Sequence, residues 1–160
     1  MQNVTIRRAT DSDRSEIETM AREVVAAGEM FVFEEVGEVL DYWQDPQGLV
    51  FVATVDSEVA GTYVIKPNQS GRGAHVANAG YMVSESRRGL GLGRAMGEHS
   101  IVTARDLGFQ ALQFNMVVAT NHSAVALWKH LGFRVVGTVP EVFRHPSEGL
   151  VDAHVMHLTL

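Results

Sequence analysis

From Ser84 to Ser100 the chain reads SESRRGLGLGRAMGEHS. Gly89, Gly91 and Gly93 alternate with Leu90 and Leu92, and Arg87, Arg88 and Arg94 flank them. A candidate strand, HVANAGYMV, ends just before this stretch, and a helical pattern begins inside it. A strand that passes through glycines into a helix commits the surrounding chain to a sheet with helices packed on it. Glycine also lets the backbone approach an anion without a Cβ in the way. The free N–H groups and the dipole of a helix N-terminus then favour a phosphate. The competing reading is a tight strand-to-helix turn that binds nothing.

The rest of the pattern agrees with an α/β chain. VTIRRAT alternates as a strand, and Thr10 with Asp13 forms a capping pair before Ile17, Met20, Ala21, Val24 and Val25 at helical spacing. Gly28 ends that helix, EMFVFEE is a loop, and VGEVLDYWQ is a second short helix stopped by Pro46 and Gly48. LVFVATV and VAGTYVIK form a hairpin, and PNQSGRG is a polar loop before HVANAGYMV. The glycine stretch opens a helix that runs to Leu107 and Gly108; ALQFNMVV is a strand, and Asn121 caps a helix closed by Gly132. FRVVGTV and VDAHVMHLTL are the last two strands, joined by a loop that holds Pro140 and Pro146. The expectation is a single domain over residues 1–160, with a mixed sheet.

Known nucleotide fingerprints do not fit the glycines. The dinucleotide pattern G-x-G-x-x-G needs a third glycine where Arg94 or Met96 stands, depending on register. A P-loop needs Gly-Lys-Ser/Thr, and the two lysines, Lys66 and Lys129, follow no glycine. What remains is R-x-x-G-x-G at Arg88, Gly91 and Gly93. The formal net charge of −6 argues against a nucleic-acid partner. With no cysteine, thiolate chemistry and disulfides are excluded. No apolar run spans a bilayer and the start lacks an apolar signal core, so the expectation is a cytoplasmic chain. Seven histidines form no metal-ligand spacing, so no metal is expected.

A second signal lies in NHSAVALWKHLGF, where Asn121, Ala124, Leu127, Gly132 and Phe133 match N-x-x-A-x-x-L-(Y)-x-x-x-G-F. With R-x-x-G-x-G at the right distance before it, the chain resembles the GNAT N-acetyltransferase superfamily, and specifically its small-molecule branch near the phosphinothricin and azetidine-carboxylate acetyltransferases. The resemblance extends to IRRATDSDRSEIETM and VATVDSEVAGTYVI. It implies a single-domain GNAT-like fold: a mixed, mostly antiparallel sheet of six to seven strands with about four helices, splayed between two central strands.

The resemblance further implies acetyl-CoA as cosubstrate. Its pantetheine arm would lie beside Tyr81, Met82 and Val83, and its pyrophosphate on Arg88, Gly89, Leu90, Gly91, Leu92 and Gly93, with Arg94 close by. Asn121 and Ala124 would meet the CoA end, and Lys129 would reach a phosphate. The N–H of Val83 or Met82 would stabilise the carbonyl oxygen as an amine attacks. The family usually places Tyr where this chain has Trp128. Tyrosine can protonate a leaving thiolate; an indole N–H donates a hydrogen bond but is no practical acid. A thiol of pKa roughly 8.5 makes a tolerable leaving group, so loss of the acid slows the reaction rather than forbidding it. Trp128 also fits plain packing with Ala124, Leu127 and Leu131.

The base is open as well. His75, Asn78 and Tyr81 lie on the strand before the glycines, and Glu34 and Glu35 lie in the first interhelical loop. Glu34, Asn78 and Asn115 are candidate substrate contacts, each with a purely structural alternative. Asn115 interrupts an apolar strand, where a buried amide must find partners. His99 falls on a helical stripe with Leu92, Met96 and Val102 and reads as a core histidine. FRHPSEG is a loop able to edge the acceptor pocket. The leading function is acetyl transfer to a small-molecule amine such as an amino acid, an analogue or a polyamine. The rivals are acetylation of a peptide or protein N-terminus and a non-catalytic acetyl-CoA sensor. A homodimer is compatible with the family by analogy only.

Overall fold

The computed structural model describes residues 3–160. Seven strands form one sheet in the order β1-β2-β3-β4-β5-β7-β6. They are β1 (Val4–Arg8), β2 (Leu49–Val55), β3 (Glu58–Pro67), β4 (Val76–Val83), β5 (Ala111–Val118), β6 (Arg134–His145) and β7 (Gly149–Thr159). The helices are α1 (Arg14–Ala27), α2 (Val36–Trp43), α3 (Leu92–Asp106) and α4 (His122–His130). Every neighbouring pair is antiparallel except β4 with β5. The expected mixed sheet, its strand count and its four helices are all present.

Alternation along the strands builds two apolar layers. On one face Val52, Val64 and Met82 pack with Ile17, Met20 and Val24 of α1 and with Val39 and Trp43 of α2. On the other, Tyr63, Ile65, Leu112 and Phe114 pack with Leu92, Met96 and Ala104 of α3 and with Trp128 of α4. The polar groups inside are matched: the Trp43 indole donates to Thr62 Oγ1 at 3.1 Å, and Thr62 Oγ1 donates to the Phe51 carbonyl at 2.8 Å. His99 sits partly buried, hydrogen-bonded to the Tyr63 hydroxyl at 2.7 Å, but Val102 of the expected stripe is 54% exposed.

Two local readings change. The segment after Val139 is not a loop: β6 continues through Pro140 to His145, and only 146–148 turn the chain. Proline is tolerated because β6 is an edge strand and is bulged between Val139 and Phe143. Phe143–His145 of FRHPSEG therefore belongs to a strand, with the Phe143 side chain buried. The β2–β3 turn is the two residues Asp56 and Ser57, both at positive φ, as a tight hairpin requires.

Asp13 ties the start of α1 to the sheet. It is 3% exposed, accepts from the Thr10 N–H at 2.8 Å, and meets the Arg7 guanidinium at 2.7 and 2.8 Å. The hydrogen bond from Arg7, reinforced by Thr10, lowers its pKa to about 2. A depressed carboxylate stabilises the fold above its unfolded pKa and loses that contribution as pH falls through the folded value. Asp13→Ala is expected to lower stability by about 1–2 kcal/mol at neutral pH, with the deficit shrinking between about pH 4 and pH 2 in denaturant titrations.

Candidate functional site

β4 and β5 pair only at Val76 with Ala111 and at Ala77 with Leu112, then part. A bulge at Asn115 and Met116 helps β5 turn away, because β5 spends an extra residue between its Phe114 and Val117 pairings with β7. The direction of the β4 amides follows from its other neighbour. Ser84 N–H donates to Ala60 and Asn68 N–H to the Val76 carbonyl, so even-numbered residues of β4 bond β3. The odd-numbered residues Ala79, Tyr81 and Val83 turn their N–H and C=O groups toward the gap. The Ala79 N–H is met by Asn78 Oδ1 at 2.8 Å. Tyr81 and Val83 keep theirs free among the described residues. Met82, expected beside the pantetheine arm, turns its amide to β3 and buries its side chain against α1 and α2.

A cavity of about 260 Å³ occupies this gap and passes through the sheet. On the α1–α2 side it is walled by Met30, Phe31, Val32, Phe33, Tyr42, Asn78 and Met116. On the α3–α4 side it is walled by Tyr81, Phe114, Asn121, Ala124 and Trp128. Among the described residues, no carboxylate, histidine, lysine or arginine lines it. Val83 lies outside the lining, one step nearer the glycine turn. Asn115 does line it, but as an exposed side chain rather than a buried one; it donates to Asn68 Oδ1 at 2.7 Å and accepts from Gln113 at 3.2 Å. It follows the alternation of β5, on the face of Gln113 and opposite Phe114, and the bulge beyond it returns Val117 to the inner face. Glu34 is exposed and lines a second cavity of about 700 Å³, between the 28–34 loop and the β6–β7 turn, with Arg144 and His145. The two cavities share Phe31, Val32 and Phe33. Glu35 belongs to the cap of α2.

The turn between β4 and α3 is built as the glycines suggested. Gly89 and Gly91 have φ of +79° and +77°, and a Cβ on either would project into open space. Ala95 N–H makes the first helical bond, to the Gly91 carbonyl. The amides of Gly89 through Arg94 point outward with no acceptor among the described residues. The arginines differ. Arg87 is held by Glu58, and Arg94 Nε donates to Glu98 at 2.8 Å, while Arg88 is exposed and without an ion-pair partner among the described residues. The Glu85 N–H bonds Glu23 of α1 at 2.9 Å, so the turn is anchored at both ends.

Asn121 caps α4, its Oδ1 accepting from the Ala124 N–H at 3.3 Å. Lys129 is exposed in the last turn of α4. Trp128 is 8% exposed and rests on Tyr81 and Phe114 with ring centroids 4.8 and 4.6 Å away. Its N–H bonds nothing, yet no buried side-chain nitrogen or oxygen among the described residues lacks a partner. The N–H is therefore accessible, on a residue that lines the cavity. Tyr81 is half-buried, and burial pushes its pKa above the ordinary tyrosine value. Its hydroxyl lies 2.7 Å from Ser100 Oγ, and Ser100 spends its single proton on the Gly97 carbonyl at 2.8 Å. Tyr81 must be the donor to Ser100, so its proton is committed away from the cavity. Sequence reasoning could not see this chain, because Ser100 lies in an unremarkable helix. His75 is exposed and outside the lining. No group of His, Asp or Glu among the described residues could hold a metal ion, and no described helix is long and apolar enough to cross a membrane.

The described residues thus form an α/β fold whose sheet splits at the parallel junction of β4 with β5, with a glycine turn at the end of the split strand. Residues 15–133 match the model of the acetyltransferase (GNAT) family, and this chain belongs to that family. It is similar to N-acetyltransferase aca1 of Schizosaccharomyces pombe, 37% identical over 106 residues; the match covers 64% of this chain and 51% of that protein, so the chain spans about half its length. It is also similar to a GCN5-related N-acetyltransferase from Kribbella flavida, with 44% identity, a TM-score of 0.92 and 98% of each chain covered. A phosphinothricin acetyltransferase from Sinorhizobium meliloti, solved with acetyl-CoA, shares the fold at 21% identity and a TM-score of 0.86, over 98% of this chain and 88% of that one.

α4 packs on α3 across one small residue, Gly97. A Cβ at Gly97 would lie 2.6 Å from Leu131 Cδ1 and 3.0 Å from the Trp128 ring. Gly97→Val should overpack this contact, costing about 1–3 kcal/mol in chemical denaturation and red-shifting Trp128 fluorescence as the ring is displaced.

Proposed function

We propose that this chain transfers the acetyl group of acetyl-CoA to an amine of a small molecule by direct attack. The observation that carries the reading is the continuity of free main-chain groups from the Gly89–Arg94 amides, through Val83 and Tyr81, to the cavity. The cradle takes a pyrophosphate on its amides, with Arg88 as the free cation. A Cβ at Gly93 would meet Leu127 of α4 at an ordinary contact distance of 3.5 Å, so this glycine faces α4. Val83, at the end of β4 nearest the cradle, holds the pantetheine amides. The order along the strand then assigns the carbonyl oxygen to the Tyr81 N–H, one pleat deeper and inside the cavity lining, rather than to Val83. Asn121 and Ala124 flank the arm from α4, and Lys129 stands as the outlying phosphate contact.

Acetyl-CoA supplies an activated thioester carbonyl. The protein's part is to place that carbonyl against free N–H donors and to bring the amine from the opposite face of the sheet. Neither tyrosine of the lining serves as an acid: Tyr81 spends its proton on Ser100, and burial raises Tyr42 as well. The sulfur leaves as thiolate, with the Trp128 N–H positioned to donate to it. Nor does the lining hold a base, so the amine loses its proton to water at the open α1–α2 mouth. The same reading places the chain in the cytoplasm and is compatible with a homodimer.

Two measurements test this. Calorimetry should detect acetyl-CoA binding, and Gly91→Val should weaken it by about tenfold or more, because valine is strained at that φ and puts its Cβ in the cradle; unchanged affinity would remove the cradle from the reading. The pH profile of kcat/KM should climb with the fraction of neutral acceptor amine and follow the acceptor's own pKa when acceptors are changed. A limb near neutrality common to all acceptors would reveal an enzymic base.

A further inference from the structure

The acceptor side of the cavity has a chemical character that narrows the amine. Resting on the function proposed above, we infer that the acceptor is an amine carried next to an aromatic or bulky apolar group, with neither a carboxylate nor a second ammonium beside it. The amine must reach the gap near Tyr81, so whatever substituent it bears on the first few atoms lies against Phe31, Phe33, Tyr42, Met30 and Met116. These walls are aromatic or thioether. Phe33 packs on Phe31 at 6.0 Å and on Tyr42 at 5.7 Å between centroids, so the rings form one connected surface.

An α-amino acid would bring its carboxylate within two bonds of the attacking nitrogen. Nothing in the lining can pair with it: Arg144 and His145 belong to the second cavity, beyond Phe31–Phe33. Burying that carboxylate against phenyl rings and two amides is unfavourable. A polyamine has the opposite difficulty. Among the described residues, no carboxylate lines the cavity, and the ring face that would attract an ammonium is already taken. Lys66 Nζ sits 3.7 Å from the centroid of Tyr42 and is paired with Asp45 at 3.0 Å. An apolar substituent meets none of these penalties, and gains the burial of its surface. The second cavity, with Glu34, Arg144 and His145, leaves room for polar groups farther from the amine.

The test compares acceptors that differ by one group. With acetyl-CoA as donor, thiol release is measured for 2-phenylethylamine, for L-phenylalanine and for spermidine, and acetyl-CoA affinity is measured in parallel by calorimetry. The expected result is a kcat/KM for 2-phenylethylamine about tenfold or more above both others. Equal or better turnover of phenylalanine or spermidine overturns the acceptor class and leaves acetyl transfer standing. Turnover of none of the three, with acetyl-CoA bound, also overturns the class; loss of acetyl-CoA binding itself overturns the underlying function. Phe33→Ala should lower kcat/KM for 2-phenylethylamine by about tenfold while the KM for acetyl-CoA stays put, and an unchanged kcat/KM would remove the aromatic wall from the argument.

Discussion

The seam between β4 and β5 governs everything else in the molecule. Two residue pairs hold the strands together, after which each runs on with a row of main-chain groups facing the other across a gap. Peptide N–H and C=O groups inside a protein need partners. At the centre of a sheet that need is met by the next strand; here the next strand has moved away. The seam thus creates, in the middle of a rigid sheet, a slot whose walls already carry the hydrogen-bonding pattern of an extended chain. The position of the glycine turn at the end of β4 and of α4 beside β5 follows from it, since both lie where the slot opens on the α3–α4 face.

The apolar packing keeps the slot from closing. Trp128, Tyr81, Phe114 and Phe133 form a connected group of rings under it, with centroid separations from 4.5 to 5.9 Å. α3 and α4 approach each other closely enough to hold this group only because residue 97 lacks a side chain. Trp128, met where tyrosine was expected, thus has two faces of one role. Its ring fills the space between the helices, and its N–H edge is the part left accessible.

Elements governed by local chemistry were legible. The Thr10–Asp13 cap, Gly28 at the end of α1, the Asn121 cap and the left-handed glycines before α3 each act within a few residues, so the chain itself specifies them. What was not legible depends on pairing. The bulge that returns Val117 to the face of Phe114 is a relation between β5 and β7 and leaves no composition signal. Met82 and Val83 are adjacent, and only the register against β3 decides which of their amides meets the slot. Pro140 read as a loop because proline argues against a strand; edge position and a bulge removed that objection. The commitment of the Tyr81 proton needed Ser100 and Gly97, contributed from a helix across the sheet.

The divergence of β4 from β5 also has a bearing on colloidal behaviour. Two strands that part inside a sheet are two extra edges, and edges invite pairing with any extended chain that can reach them. This fold cannot blunt them with the lysines or prolines found on outer edges, since the same groups must stay open. A bound ligand that lies along β4 shields the row of hydrogen-bonding groups from other polypeptides. On the proposed binding mode, the ligand-free and ligand-bound forms differ in how much of this hydrogen-bonding template is open to self-association.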